Sequence, residues 1–183
     1  MCGRDGGFMN NIDDKIQIMI EQKELEKRIA EMGEEISRDY AGKELHLICI
    51  LKGGVMFMTE LSKHITCHVS MDFMSVSSYG NERKSSGRIR ILKDLDEPIE
   101  GRDVLIVEDI IDSGKTLAHL IEVLGVRKPN SIKLCTMLDK PDRREVDVKV
   151  DYVGFQIPDK FVLGYGLDYD QFYRNIPYIA VVE

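Results

Sequence analysis

Three acidic side chains fall within five positions, Glu108, Asp109 and Asp112, and run into Ser113-Gly114-Lys115-Thr116. An apolar run over 104–107 precedes them and a helical pattern over 116–124 follows, so VLIVEDIIDSGKTL reads as strand, turn and helix. The carboxyl end of a strand is where ligands bind in an α/β sheet. Gly114 lets the backbone approach a ligand closely, and the amide N–H groups of about 113–117 converge at a helix N-terminus, which favours a phosphate. Ser113 and Thr116 add hydroxyl donors, while carboxylates accept from ribose hydroxyls. Acids beside a phosphate cradle therefore point to a sugar phosphate. The plain alternative is a solvated turn with Asp112 as a helix cap. Against it, acids set directly after a buried strand repel one another, so ribose hydroxyls or a metal-bound ligand are expected to offset the cost.

Two other phosphate motifs fail on spacing. A P-loop needs a glycine five residues before the Gly of Gly-Lys, and that position is Asp109. Gly164-Tyr165-Gly166 opens like a dinucleotide fingerprint, but its third glycine position is Tyr169. The cysteines Cys2, Cys49, Cys67 and Cys135 form no CxxC pair, and Cys49 and Cys135 sit in apolar runs, so both are expected as core thiols. No HExxH motif is present, and zinc is not expected.

The elements that must position these residues alternate along the chain. Ile16, Ile18 and Ile20 predict a short strand, and Leu25, Ile29, Met32, Ile36 and Tyr40 predict a helix over 22–40 that Gly42 ends. The continuous apolar run over 45–51 predicts a strand covered on both faces. After Gly53-Gly54 a helix is expected over 55–65, then strands over 69–77 and 88–92 flanking a polar loop over 78–87. Further strands are expected over 104–107, 132–138, 152–156 and 178–182. This alternation predicts an α/β class with a mainly parallel sheet. Residues 1–11 have no periodicity and read as a flexible arm, leaving 12–183 as one domain.

The 183 residues include 25 Lys+Arg and 32 Asp+Glu, a formal net charge of −7, with 43% hydrophobic and 31% charged residues. That composition is globular and excludes disorder, collagen and disulfide miniproteins. The acidic balance speaks against a dedicated nucleic-acid binder. No run is long enough for a membrane helix, and residues 1–11 lack the apolar stretch of a signal peptide, so a cytoplasmic protein with no membrane partner is expected.

VLIVEDIIDSGKTL closely resembles the 5-phosphoribosyl-1-pyrophosphate (PRPP) signature of type I phosphoribosyltransferases, in the wording of their hypoxanthine-guanine branch. Further matches follow in chain order. Leu51-Lys52-Gly53-Gly54 resembles the family's pyrophosphate loop, Ser78-Tyr79-Gly80 its mobile catalytic loop, and Leu138-Asp139-Lys140-Pro141 its purine segment. Residues 153–162 and 164–169 resemble its base-binding hood, and the likeness runs from about Ile16 to the C-terminus. The resemblance implies the type I fold, a mainly parallel central sheet flanked by helices with a small hood formed by the N- and C-terminal segments. It implies transfer of the phosphoribosyl group from PRPP to hypoxanthine or guanine, giving IMP or GMP and pyrophosphate, in purine salvage.

Residue by residue, the resemblance implies that Glu108 and Asp109 hold the ribose hydroxyls and that Ser113, Gly114, Lys115 and Thr116 hold the 5′-phosphate. Asp112 is implied as the general base on purine N7, a role that suits an acid if its acidic neighbourhood raises its proton affinity. Lys52, Gly53 and Arg174 are implied at the pyrophosphate, with a cis peptide at Leu51-Lys52, and Ser78 and Tyr79 at a closing loop. Lys140 is implied at the 6-oxo group, Phe161 stacked on the purine, Val162 at the base edge through its backbone, and Asp168 at Mg2+, with Glu108 and Asp109 as further ligands. An ammonium has donors and no acceptor, so Lys140 disfavours a 6-amino purine. A homodimer or homotetramer is implied too. Each position also has a plain reading: Lys52 and Lys140 as surface charges, Phe161 as core, Arg174 in a surface salt bridge. A PRPP-sensing regulator that binds nucleic acid on the same fold is the competing function. Asp112, the Lys140 and Phe161 pocket and the net charge of −7 favour the enzyme.

Overall fold

The apolar runs lie in the middle of a sheet covered on both faces. The structure is a computed structural model that describes residues 15–78 and 89–182. The arm expected over 1–11 lies outside those residues.

The elements in chain order are β1 (Ile16–Ile20), α1 (Gln22–Asp39), β2 (Glu44–Leu51), α2 (Val55–Lys63), β3 (His68–Ser78) and β4 (Ile89–Lys93). They continue as β5 (Asp103–Ile111), α3 (Lys115–Gly125), β6 (Ser131–Asp139), β7 (Tyr152–Gln156), β8 (Val162–Leu163) and β9 (Ile179–Val182), with a single 3-10 turn at Pro141–Arg143. Six strands form the main sheet in the order β4-β3-β2-β5-β6-β7. All its pairs are parallel except β3 with β4.

Successive side chains of a strand point to opposite faces, and both faces here are apolar. Leu45, Leu47 and Cys49 of β2 pack with α1 and α2 through Leu25, Ile29, Met32, Phe57 and Leu61. Ile48 and Ile50 of the same strand pack on the other face with Leu117, Leu120 and Leu124 of α3. This explains why β2 reads as an unbroken apolar run.

The chain leaves β2 through α2 toward β3, and leaves the neighbouring β5 through α3 toward β6 on the other side. The loops at the carboxyl ends of β2 and β5 thus diverge, and such a switch point opens a crevice. A second sheet, in the order β1-β9-β8, is antiparallel and joins the two ends of the chain. It is the expected hood.

Two differences from the sequence reading matter. Strand β5 runs on to Ile111, so Glu108 and Asp109 lie within the strand and do not follow it. Its ladder with β6 continues through Glu108↔Thr136 and Ile111↔Asp139, because the apolar Ile110 and Ile111 prolong the pairing beyond the acids. Strand β8 was not anticipated. It has only two residues and exists through its pairing with β9.

Helices α1 and α2 touch closely at Gly33, where a side chain would run into the Cβ of His64 and lie 3.0 Å from its carbonyl group. Gly33→Ala is expected to cost about 1–3 kcal/mol by overpacking, roughly 2–4 °C of melting temperature per kcal/mol in a chain this size. Gly125→Ala, with nothing within 4 Å, is the control and should not lower it. Thermal unfolding followed by far-UV circular dichroism decides; equal midpoints for wild type and Gly33→Ala would refute the contact.

Candidate active site

The loops that leave β2 and β5 meet back to back. Gly53 is buried, and any Cβ on it would overlap the Asp109 carboxylate. Gly166, at φ +102, sits in turn against the Gly53 carbonyl, so glycine is needed there for both backbone conformation and space. The Leu51-Lys52 peptide is cis, as expected. Lys52 is exposed, and its ammonium donates to Gln171 Oε1 at 2.9 Å, joining segments 119 positions apart. Arg174 pairs with Asp168 Oδ1 at 2.6 Å and donates to the Gly166 carbonyl at 2.6 Å. The Gln171 N–H donates to Asp168 Oδ2 at 2.8 Å. Lys52, Gly53, Asp109, Asp168 and Arg174 are thereby brought into one cluster.

The two acids of β5 are electrostatically unusual. Burial pushes Glu108 well above the usual carboxylate range, and the charge of Asp109 adds to the effect. Its Oε2 is buried with no hydrogen-bond partner among the described residues. Burial likewise raises Asp109 to about 6, against the bond donated by the Ile110 N–H to its Oδ1 at 2.8 Å. Cys49 is pushed up to about 12, by burial first and then by these two acids. It is a buried core thiol, as is Cys135.

Asp112 stands apart from that pair. Arg143 Nε donates to its Oδ1 at 3.0 Å, so the charge facing it is a cation and not the acids beside it in sequence. It does not cap α3 either: the cap position is Gly114, at φ +80, and no side chain caps the helix. The left-handed backbone requires glycine, and a Cβ there would also press on the Val146 carbonyl at 2.9 Å. The turn is backed by the chain after β6. The N–H groups of Glu145 and Val146 donate to the Ser113 carbonyl at 3.0 and 3.2 Å, and Lys115 pairs with Glu145. Helix α3 opens at Lys115, so first-turn amides, Thr116 among them, lack helical acceptors and face the turn. Ser113 Oγ accepts from the Lys115 N–H at 3.4 Å.

Beyond the turn, Lys140 is buried at the end of β6, its N–H bonded to the Ile111 carbonyl at 3.0 Å and its ammonium 3.8 Å from Asp159 Oδ1. Asp139, next to it, is buried in an ion pair with Arg144. Phe161 is 53% exposed and meets Tyr169 edge-on at 5.7 Å, so it is no core residue. Val162 is buried in β8. Ser78 ends β3, whereas Tyr79 and the rest of the expected loop lie outside the described residues. Sequence reading missed Arg143, Asp159 and Gln171. Exposed charges in polar loops read as solvated, and the Arg143–Asp112 contact spans 31 positions.

A family model described as the phosphoribosyl transferase domain matches residues 18–170. A hypoxanthine-guanine phosphoribosyltransferase of Bacillus subtilis is 52% identical over 167 residues, 91% of this chain and 93% of that protein. This chain belongs to the hypoxanthine-guanine phosphoribosyltransferase family. A hypoxanthine phosphoribosyltransferase of Salmonella typhimurium is also 52% identical, over 169 residues, 91% of this chain and 95% of that protein. Among solved structures, a hypoxanthine phosphoribosyltransferase of Staphylococcus aureus matches with a TM-score of 0.91 at 45% identity, covering 96% of each chain. The phosphoribosyltransferase therefore has the family's α/β fold, as expected.

The buried acids carry a stability prediction for the ligand-free phosphoribosyltransferase. Asp109 is protonated in the folded state up to about pH 6, whereas unfolded it ionises near its ordinary value of 3.8. Its contribution is therefore fully present below about pH 4 and is lost as the pH rises through 6. A shift of about two pH units corresponds to about 3 kcal/mol at most. Asp109→Asn is expected to melt higher than wild type at pH 7.5, with the difference vanishing toward pH 4. Calorimetry across that range checks it, and a variant less stable at pH 7.5 would contradict the buried-acid account.

Proposed function

We propose that this chain transfers the 5-phosphoribosyl group of PRPP to hypoxanthine or guanine, releasing pyrophosphate, as the names of its relatives suggest. One observation carries the reading most directly. Two part-buried acids, one with a buried, unpartnered oxygen, adjoin a helix N-terminus and a backbone loop at a sheet switch point. Acceptors without donors suit the ribose hydroxyls, and the first-turn amides at 113–116 suit the 5′-phosphate.

In the transfer, the bond between C1′ and the pyrophosphate oxygen breaks as a purine nitrogen bonds to C1′. Lys52, Gly53 and Arg174 serve the departing pyrophosphate, whose developing charge cationic and amide donors stabilise. Asp112 accepts the N7 proton. Lys140 donates to the 6-oxo oxygen. Phe161, exposed and edge-packed on Tyr169, offers a ring face to the purine, and the Val162 backbone meets the base edge. Ser78 and Tyr79 close over the reacting atoms and exclude water.

Magnesium fits this site as a companion of PRPP. Among the described residues no group of three His, Cys, Asp or Glu could hold a metal ion, and Mg2+ commonly combines one or two carboxylates with substrate phosphates and water. Asp168 would hold it, with Glu108 and Asp109 as further carboxylates. Bound there, it would neutralise charge on the pyrophosphate oxygens. We extend the reading to a cytoplasmic homodimer or homotetramer built from residues 12–183. Among the described residues no helix is long and apolar enough to cross a membrane.

A PRPP-dependent assay with hypoxanthine, guanine, xanthine and adenine, read as pyrophosphate release, tests the reaction. Turnover with 6-oxopurines and little with adenine is expected; no turnover with any 6-oxopurine would end the proposal, and tight sequence-selective RNA binding at physiological salt would point to the regulator instead. Asp112→Asn should lower kcat by about 10²–10⁴-fold while PRPP binding by calorimetry persists. Phe161→Ala should raise KM for the purine without changing KM for PRPP. A near-normal rate in the first variant, or equal changes in both KM values in the second, would remove those roles.

A further inference from the structure

Four charged side chains form a line along one side of the site. The Lys140 ammonium lies 3.8 Å from Asp159 Oδ1, Arg143 Nη1 lies 3.4 Å from Asp159 Oδ2, and Arg143 Nε lies 3.0 Å from Asp112 Oδ1. The two ends of the line are the groups assigned above to the 6-oxo oxygen and to N7. These atoms are neighbours on one edge of a 6-oxopurine. The two in the middle, Arg143 and Asp159, have no role in the transfer as described.

Arg143, Asp112 and Asp159 are each about half exposed. Ion pairs in such settings add little to stability, so the consequence of the line is geometric. A guanidinium is planar and rigid, and through Nε and Nη1 it spans two carboxylates at a fixed spacing. The anchor points are joined at the backbone where the Lys140 N–H donates to the Ile111 carbonyl at 3.0 Å and the Arg143 N–H to the Lys140 carbonyl at 3.1 Å. Asp112 belongs to the turn after β5, Lys140 links β6 to the 3-10 turn, Arg143 closes that turn, and Asp159 lies between β7 and β8. The backbone bond from the Lys140 N–H to the Ile111 carbonyl fixes where the two residues start, and the side-chain bridge ties the Asp112 carboxylate to the Lys140 ammonium.

We propose that Arg143 and Asp159 form a positioning bridge that sets the separation of the Asp112 carboxylate and the Lys140 ammonium, and so helps select purines with a 6-oxo group. The inference rests on the transferase reading. The bridge touches neither PRPP group assigned above, so its loss should weaken use of the purine and leave the phosphoribosyl donor unaffected. Arg143 engages one oxygen of Asp112 and leaves Oδ2 to face the base.

The test is steady-state kinetics with hypoxanthine and guanine for wild type, Arg143→Ala, Arg143→Lys, Asp159→Asn and the double variant Arg143→Ala/Asp159→Asn. KM for PRPP and melting temperature are measured alongside. Arg143→Ala and Asp159→Asn should each lose about tenfold in kcat/KM for both purines, with KM for PRPP within about twofold of wild type and melting unchanged. Arg143→Lys, which keeps the charge but not the fork, should recover part of the loss. The double variant should be no worse than the poorer single one, because the two residues act as one unit. Purine kinetics within about twofold of wild type, additive losses, or a parallel rise in KM for PRPP would overturn the bridge. Wild-type turnover tests the underlying reading separately: without it both fall, and with it the variants alone decide.

Discussion

Between Gly53 and the Asp109 carboxylate there is no room for even a methyl group. That contact presses the loop after β2 onto the last residues of β5, and Gly166 presses from outside against the Gly53 carbonyl. Three segments distant in sequence are thereby locked together at the one place in the sheet where neighbouring strands send their chains apart. The cluster of Lys52, Gln171, Asp168 and Arg174 follows from that closure, since each partner is carried there by one of the two glycine-lined segments.

The same closure explains why the site works against the stability of the ligand-free fold. Glu108 and Asp109 extend a strand whose ladder holds them inside, and burial favours their neutral forms. A protein retains buried acids of this kind where their use outweighs the cost. The core offsets them: both faces of β2 and β5 are packed with aliphatic side chains, by α1 and α2 on one side and α3 on the other. Asp112 sits only a few residues further along yet belongs to a different environment, exposed and faced by Arg143. One short stretch of chain thus holds two enclosed acids and an open one.

Most elements were legible in the sequence because their signals are local. The 3.6-residue spacing of Leu25, Ile29, Met32 and Ile36 and the unbroken run of β2 act within single segments. The end of β5 was misplaced because two acids usually close a strand, whereas here pairing with β6 carries them inward. Strand β8 carries no local signal, being two residues held by a partner from the chain terminus. Of the candidate site residues, all but Tyr79 lie within the described residues. Those near β2, β5 and the 164–174 segment gather as one cluster, and the Lys140 ammonium reaches the Asp112 carboxylate through Asp159 and Arg143.

What the sequence determined by itself is the alternation of strands and helices and the acid-rich turn before α3, because hydrophobic spacing and turn chemistry are properties of neighbours along the chain. What only the tertiary structure decided is the surroundings of those acids. Desolvation and ion pairing depend on which atoms lie nearby, and those come from Gly53 and Arg174 for Asp109 and from Arg143 for Asp112, far away along the chain.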